Sequence, residues 1–343
     1  MLGLDITTSS VKLIELSQSG KRYRVESYSA EPTPPSSVSE KAIVDAKAVG
    51  EAIRRAVKRA GAKATDVAVA ISGDAAITKV IQMPSSLSER DLEGQVEIQA
   101  DQYIPFPMEE VSFDYEVIGP NEKDPELMDV LLVATRTANV EQRQAAVSAA
   151  GLDTEIVDVE AFALQNTFEV GYDPGDDNIA LIDIGASKTS LNILKGNSSV
   201  FMRDVSLGCS QINQKIISLV DCSFDEAENL KFGDNPERLS AEDLKEIVSS
   251  VVSDWCTEIR RALDFFYSTY PDDQIKRIIL SGGGASISEF RELLGVEASA
   301  EVETINPFKG IYVDDRFDPE FIKQIAPQAA ITVGLALRKV NDK

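Results

Sequence analysis

Histidine is absent from the 343-residue chain. That excludes imidazole-based triads and the commonest zinc sites. Only three cysteines occur, Cys209, Cys222 and Cys256, with neither close pairing nor metal-ligand spacing. An odd, scattered set argues for a reducing, cytoplasmic compartment. No apolar run approaches the roughly 18 residues of a membrane-spanning helix, and the residues from Leu2 onward do not read as a signal peptide. Positive charge is scarce: 34 Lys and Arg face 57 Asp and Glu, for a net charge of −23. Such a surface is repelled by nucleic acid and by anionic lipid. The densest basic stretch, Arg54-Arg55-Ala56-Val57-Lys58-Arg59, reads as the solvated face of a helix.

The chain is 43% hydrophobic, and its length suffices for two domains with sizeable cores. Strand and helix signals alternate along the first half. Strands are expected at 2–6, 11–16, 22–29 and 67–71, with a helix over 48–60 stopped by Gly61. Ser88, with Asp91 and Glu93, marks the start of a second helix ending near Pro105. Two strands at 111–118 and 128–135 follow, then a helix over 139–150. A strand at 154–159 and a helix from Glu160 lead to a second apolar run at Ile179. There the order of the first residues returns: apolar run, aspartate, hydroxyl-bearing turn, apolar run. The spacing makes this a repeat of domains rather than of solenoid units. Leu244, Val248, Val251, Trp255, Ile259, Leu263 and Phe266 recur at helical steps and predict one long helix with a core-facing stripe. Small residues after Pro327, including Ala329, Ala330, Gly334 and Ala336, predict a helix that approaches another closely.

Three turns carry the chemistry. The first is Asp5-Ile6-Thr7-Thr8-Ser9-Ser10-Val11-Lys12, the second Asp183-Ile184-Gly185-Ala186-Ser187-Lys188-Thr189, and the third Ser281-Gly282-Gly283-Gly284-Ala285. An aspartate at the carboxyl end of a buried strand stands where open α/β folds bind ligands. Asp5 and Asp183 are therefore expected to face one cleft and to suit a hydrated Mg²⁺, which needs only one or two protein carboxylates. Thr7, Thr8, Ser9, Ser187 and Thr189 offer hydroxyl and amide donors to phosphate, Gly185 lets the backbone come close, and Lys12 could neutralise a phosphate. Gly282, Gly283 and Gly284 are expected to open a helix against adenosine and phosphate. Gly208 is a weaker candidate of the same kind. Taken singly, each has an ordinary reading as a turn or capping residue. The string Gly185 to Thr189 is not a P-loop, since it lacks the first glycine and the Gly-Lys pair.

Taken together, order and spacing resemble the superfamily of actin, hexokinase and the large heat-shock chaperones. The resemblance implies an α/β fold: an actin-like, ribonuclease H-like, two-lobed ATP-binding fold. It adds Glu228 and Lys231, which would cover adenine and ribose, and Glu160, which would orient an attacking water. The segment Gln99-Ala100-Asp101-Gln102-Tyr103-Ile104-Pro105-Phe106-Pro107 narrows the family. So do Asp158-Val159-Glu160-Ala161-Phe162-Ala163-Leu164 and Gly334-Leu335-Ala336-Leu337-Arg338. They resemble the PilM family of type IV pilus assembly, over essentially the whole chain. The division expected from that resemblance is a first lobe of 1–83 and 154–177, an inserted subdomain of 84–153, a second lobe of 178–210 and 271–343, and a small subdomain of 211–270.

The resemblance implies a cytoplasmic scaffold, peripheral at the inner membrane through a protein partner, with ATP and Mg²⁺ between the lobes. The partner is the N-terminal cytoplasmic peptide of PilN, with PilO and the pilus motor ATPases engaged indirectly. Gln99, Tyr103, Ile104 and Phe106 are candidates to line the peptide groove. For Tyr103 and Ile104, core packing is an equal reading. Thr7 stands where actin-type first turns commonly carry glycine, so the expectation is ATP binding with at most slow hydrolysis. The alternative is a filament-forming, membrane-associated ATPase like FtsA. It would need a basic amphipathic terminal helix, and the chain ends at Lys343 directly after the last predicted helix. A sugar or acetate kinase would need a further base, and a chaperone a further peptide-binding domain. Self-association remains open, because protomer surfaces leave no signature in patterning.

Overall fold

A computed structural model describes residues 1–39, 42–121, 123–175 and 177–340. In the first half the elements are β1 (Leu2–Ile6), β2 (Ser10–Ser19), β3 (Arg22–Pro32), α1 (Ala46–Ala60), β4 (Asp66–Ile71), β5 (Ala76–Pro84), α2 (Glu89–Tyr103), β6 (Val111–Pro120), β7 (Leu127–Arg136), α3 (Thr137–Ala149), β8 (Asp153–Val159) and α4 (Glu160–Gly171). The second half has β9 (Asn178–Ile184), β10 (Thr189–Lys195), β11 (Ser198–Val205), α5 (Ser210–Val220), α6 (Phe224–Lys231), α7 (Ala241–Thr269), β12 (Ile275–Ser281), α8 (Ser288–Ala298), β13 (Glu301–Thr304), β14 (Ile311–Tyr312), α9 (Pro319–Ile325) and α10 (Ala330–Leu337).

Two sheets share one order. The first runs β14-β3-β2-β1-β4-β8, the second β11-β10-β9-β12-β13. In each, an antiparallel meander is joined by a strand parallel to its first member: β4 beside β1, and β12 beside β9. The predicted repeat is thus a repeat of whole sheets. In each copy the first strand carries its aspartate one residue before its end, Asp5 in β1 and Asp183 in β9.

Helices α4 and α10 lie between the sheets. Ala163, Leu164 and Phe168 of α4 and Ala330, Ile331 and Leu335 of α10 join Ala68 and Ala70 of the first sheet to Ile179, Leu181 and Ile279 of the second. Small residues make this approach possible. A Cβ on Gly334 would lie 1.7 Å from the Ala163 carbonyl oxygen, and one on Gly3 would lie 2.0 Å from that of Thr332. The close helix contact expected from the small residues after Pro327 is this one. Thr167 donates to the Ala330 carbonyl at 2.6 Å, and Arg338 pairs with buried Asp158 at 2.6 Å.

The insert and the second-lobe helices are organised differently from expectation. A third sheet, β5-β7-β6, begins at Ala76 rather than at 84. Its first strand has few buried positions, so it gave no apolar signal. Helix α3, expected inside the insert, packs through Ala146 and Val147 on α1 and the first sheet. Helix α2 covers the third sheet instead, with Leu92, Val96 and Ala100 against Ile81, Val130 and Leu132. Helices α5 to α7 share one core with the second sheet, since Trp255, Ile259 and Phe266 of α7 pack with Ile182 and Leu280.

Gly334→Val should destabilise the fold by about 3 kcal/mol or more, because no rotamer relieves a clash with a backbone carbonyl. Gly94→Ala, in mid-α2 with nothing within 4 Å of an added Cβ, should instead stabilise by roughly 0.5–1 kcal/mol. Denaturant unfolding of both variants against the parent checks the pair.

Candidate nucleotide cleft between the lobes

The first turn connects two paired strands. Asp5 and Lys12 are direct cross-strand partners in β1 and β2, and Lys12 Nζ donates to Asp5 Oδ2 at 2.8 Å. Asp5 is only 3% exposed. Burial pulls the Lys12 ammonium down, but the charge and hydrogen bond of Asp5 outweigh it, helped by Tyr28 and Asp183, and hold it above its ordinary value. Thr7 is wound into the turn: its hydroxyl donates to the Ser10 carbonyl at 2.9 Å and accepts from the Ser10 amide at 3.1 Å. Thr8 and Ser9 face outward, and the Thr8 and Ser187 hydroxyls meet at 3.1 Å across the lobes.

The second turn is built on the same plan. The Gly185 amide donates to the Lys188 carbonyl at 2.9 Å, and the Cys209 and Ser210 amides donate to the carbonyls of Gly185 and Ala186 at 3.0 and 2.8 Å. Gly208 lies against this turn, and its added Cβ would sit 2.6 Å from the Ala186 carbonyl oxygen. Thr189 departs from expectation. It is buried in β10 and donates its hydroxyl to the Leu207 carbonyl at 3.0 Å, so it does not offer that proton to the cleft. Asp183 is raised to about 6: burial contributes most, and Asp5 and Glu160 add repulsion against the lowering effects of the Ser281 hydroxyl and Lys12. Asp183 thus lies within electrostatic range of Asp5, Lys12 and Glu160.

The third turn differs in detail. Gly282 has φ +82 and donates to the Pro327 carbonyl at 2.9 Å, while an added Cβ would meet the Ile184 carbonyl oxygen at 2.3 Å. The glycines enter a short 3-10 turn, Gly283–Ser286, and α8 begins only at Ser288. The expectation that they open a helix directly is therefore corrected: positive φ at Gly282 bends the chain out of helical geometry. Gly284 points into the core, with Ile184 Cγ2 2.4 Å from its added Cβ, whereas Gly283 faces Cys209 Sγ. Burial raises the Cys209 thiol to about 11, with Lys231 lowering it and Glu228 and Asp183 raising it. Cys209 thereby lies between the second and third turns and the Glu228–Lys231 pair. Lys231 Nζ bonds Glu228 at 2.7 Å and Asn213 Oδ1 at 3.2 Å.

Three charged residues of the cleft escaped sequence reasoning. Lys188 Nζ reaches Glu160 Oε2 at 2.5 Å and Asp204 Oδ2 at 3.3 Å. Burial raises the Glu160 carboxyl and Lys188 opposes that, with Asp5 and Asp204 adding to the rise. Arg143 of α3 is buried beside β4, where Nε donates to the Ala70 carbonyl at 3.0 Å. Burial lowers its guanidinium, while Glu160 and Asp5 hold it up. Lys188 was in plain view inside the second turn. Arg143 and Asp204 gave no local signal, since only the tertiary fold brings them in.

The peptide-groove candidates separate. Tyr103 is 43% exposed and Gln99 half-buried. Ile104 is 6% exposed within the core of the insert, so its assignment to a groove is corrected to core packing. Phe106 is half-buried with the Arg136 guanidinium 4.0 Å above its ring, at the junction of β7 and α3.

Asp5 and Asp183 stand at equivalent strand ends of the two sheets, and the Thr8 and Ser187 hydroxyls meet at 3.1 Å between the two turns. The Asp183 carboxyl also makes pH a probe. In the unfolded chain it titrates near 3.8, in the folded one near 6. Its contribution to stability is therefore fully present below 3.8 and lost as pH rises through 6. Asp183→Asn should stabilise the nucleotide-free protein by about 1–2 kcal/mol at pH 7.5, after a discount for solvent screening. The gain should shrink steadily toward pH 5. Thermal melts of parent and variant across that range test the sign.

The profile of the family described as "Type IV pilus assembly protein PilM" matches residues 3–340. Among solved structures, the chain is similar to a PilM–PilN type IV pilus biogenesis complex, with 28% identity, 99% of this chain and 98% of that chain covered, and a TM-score of 0.85. The ethanolamine utilization protein EutJ of Carboxydothermus hydrogenoformans shares the fold, at 16% identity, coverage of 98% and 88%, and a TM-score of 0.58. So does MreB 5 of Spiroplasma citri, solved with AMPPNP, at 12% identity, coverage of 97% and 93%, and a TM-score of 0.52. The fold is the actin-like one expected from the three turns, and the chain belongs to the PilM family of type IV pilus assembly proteins.

Proposed function

We propose that the chain is an ATP-binding scaffold of the type IV pilus inner-membrane complex that grips the N-terminal cytoplasmic peptide of PilN. The likeness to a PilM–PilN complex along 99% of the chain carries this reading. Among the described residues no helix is long and apolar enough to cross a membrane, so a membrane role would come through such a partner. PilO and the motor ATPases would then be reached through PilN rather than directly.

ATP with Mg²⁺ would lie between the lobes. Asp5 and Asp183 would hold the metal through its waters, Thr8, Ser9 and Ser187 would meet phosphate oxygens, and Lys12 would offset phosphate charge. Glu228 and Lys231 would cover adenine and ribose, with Gly282 and Gly283 allowing close backbone approach. Thr7, Thr189, Gly185, Gly208 and Gly284 would shape the turns rather than touch the ligand through side chains.

The peptide would enter between the first lobe and the third sheet. By order β5 and β6 are the edges of that sheet, and an extended peptide adds to an edge while placing alternate side chains in pockets. Val80 of β5 and Val117 and Ile118 of β6 are exposed, so both edges offer apolar surface. Tyr103, Gln99 and Phe106 are the side chains proposed to line the approach.

A fluorescent peptide copying the PilN N-terminus should bind, and Tyr103→Ala should weaken it about tenfold by removal of an aromatic anchor. Anisotropy titrations with and without MgATP decide this. Absence of binding in both states removes the scaffold reading. In parallel, Asp5→Asn should lower MgATP affinity at least tenfold, read by calorimetry, and equal affinity would reject the metal assignment.

A further inference from the structure

Lys188 lies where the two lobes touch, and one of its two ion pairs leaves the second lobe. Its ammonium holds Glu160, the first residue of α4, at 2.5 Å and Asp204 of β11 at 3.3 Å. Asp204 reaches on to the first lobe, where its Oδ2 accepts from the Asp74 amide at 3.0 Å. The fit is tight: a Cβ on Gly73 would lie 3.1 Å from Asp204 Oδ1. One side chain of the second lobe therefore grips a first-lobe carboxylate, and its neighbour grips a first-lobe amide. Both acids are nearly buried, with side-chain exposures of 12% for Glu160 and 9% for Asp204. Burial weakens the Lys188 charge, but Glu160 and Asp204 more than restore it.

A carboxylate orients and activates a water only through a free, basic oxygen. Burial holds the Glu160 carboxyl above its ordinary value, but the Lys188 ammonium lowers it from that level and occupies Oε2 at 2.5 Å, so with Lys188 in place Glu160 is a weaker base toward water than burial alone would make it.

We propose that Lys188 is a positioning residue with two linked effects: it latches the lobes through Glu160 and Asp204, and it withholds Glu160 from water, so that bound ATP is kept rather than hydrolysed. This rests on the nucleotide reading above. Hydrolysis forms a bond from a water oxygen to the γ-phosphorus and breaks the bond from that phosphorus to the β–γ bridging oxygen. The products are ADP and inorganic phosphate, with the released proton passing to solvent. On the nucleotide reading, a freed Glu160 carboxylate would be available to orient that water.

The test is Lys188→Met, which keeps length and removes charge. In the nucleotide-free protein, hydrogen exchange at the Asp74 amide should speed up at least tenfold. Phosphate release from saturating MgATP should rise at least fivefold, while affinity for a non-hydrolysable ATP analogue stays within about threefold. Lys188→Met with Glu160→Gln should lose the gain in turnover but keep the fast exchange. Asp204→Asn, a milder change, should speed exchange at Asp74 as well, and it replaces Lys188→Met should that variant misfold. Unchanged exchange in these variants overturns the latch, and unchanged turnover in a variant that binds the analogue overturns the withholding of Glu160. A parent protein that binds no nucleotide rejects the nucleotide reading instead, and the exchange measurement still decides the latch.

Discussion

The lobes meet at a seam crowded with carboxylates, and the rest of the cleft depends on how their charge is met. Asp5, Asp183, Glu160 and Asp204 converge there, each at least half-buried. Two like charges 4 Å apart cost about 4 kcal/mol at an effective dielectric near 20, so such a cluster stands only with cations among it. Lys12 takes Asp5, and Lys188 takes Glu160 and Asp204. Arg143 sits within electrostatic range of Asp5 and Glu160. Asp183 has the more distant charge of Lys12 to lower it, while the nearby Ser281 hydroxyl donates to the Pro327 carbonyl at 3.1 Å. Of the four, Asp183 is the one without an ion pair among the described residues.

That arrangement follows from the repeated strand order, shared by the two sheets apart from the extra edge strand β14. Two sheets of the same strand order bring two equivalent strand ends to one place, and each ends in an aspartate for the same topological reason. The close approach between the lobes depends on two glycines, Gly334 of α10 against the Ala163 carbonyl of α4 and Gly3 of β1 against that of Thr332. A bulkier seam would hold the strand ends apart and leave the ion pairs unmade. Packing at one end of the interface thus sets electrostatics at the other. Glu160 joins the two, since it begins the buried helix and contributes its carboxylate to the cleft.

The cleft-forming strands were legible because they are continuous apolar runs ending in an aspartate, a pattern that burial on both faces imposes. The long stripe from Leu244 to Phe266 was legible for a similar reason, since a one-sided helix advertises its period. Strand Ala76–Pro84 was not, because it is an edge with most of its residues half-buried or exposed. The placement of α3 was hidden too. Its periodicity shows that it is a helix, not which of two neighbouring cores it joins, and contact with α1 decides that. Hydroxyls were the least readable part. Thr7, Thr8, Ser187 and Thr189 look alike in sequence, yet Thr7 and Thr189 spend their protons on backbone carbonyls and the other two meet across the seam.

The region proposed for a partner and the cleft share one continuous piece of chain. Strand β7 is the centre of the third sheet, and it runs directly into α3, which carries Arg143 into the cleft. Arg136, stacked on Phe106, stands at the junction. Continuity of this kind transmits nothing by itself, because a ligand shifts an equilibrium only by its differential affinity for two states. On the latch proposed above, the element with two states would be the seam, where the contacts made by Lys188, Asp204 and Thr8 would close or open together. A partner that prefers one position of α3 would favour one state of that seam through Arg143, and by linkage nucleotide would change the affinity for the partner by the same factor. For a protein that assembles others, such reciprocity is served by keeping nucleotide bound, since hydrolysis would collapse the difference between the two states on which the coupling depends.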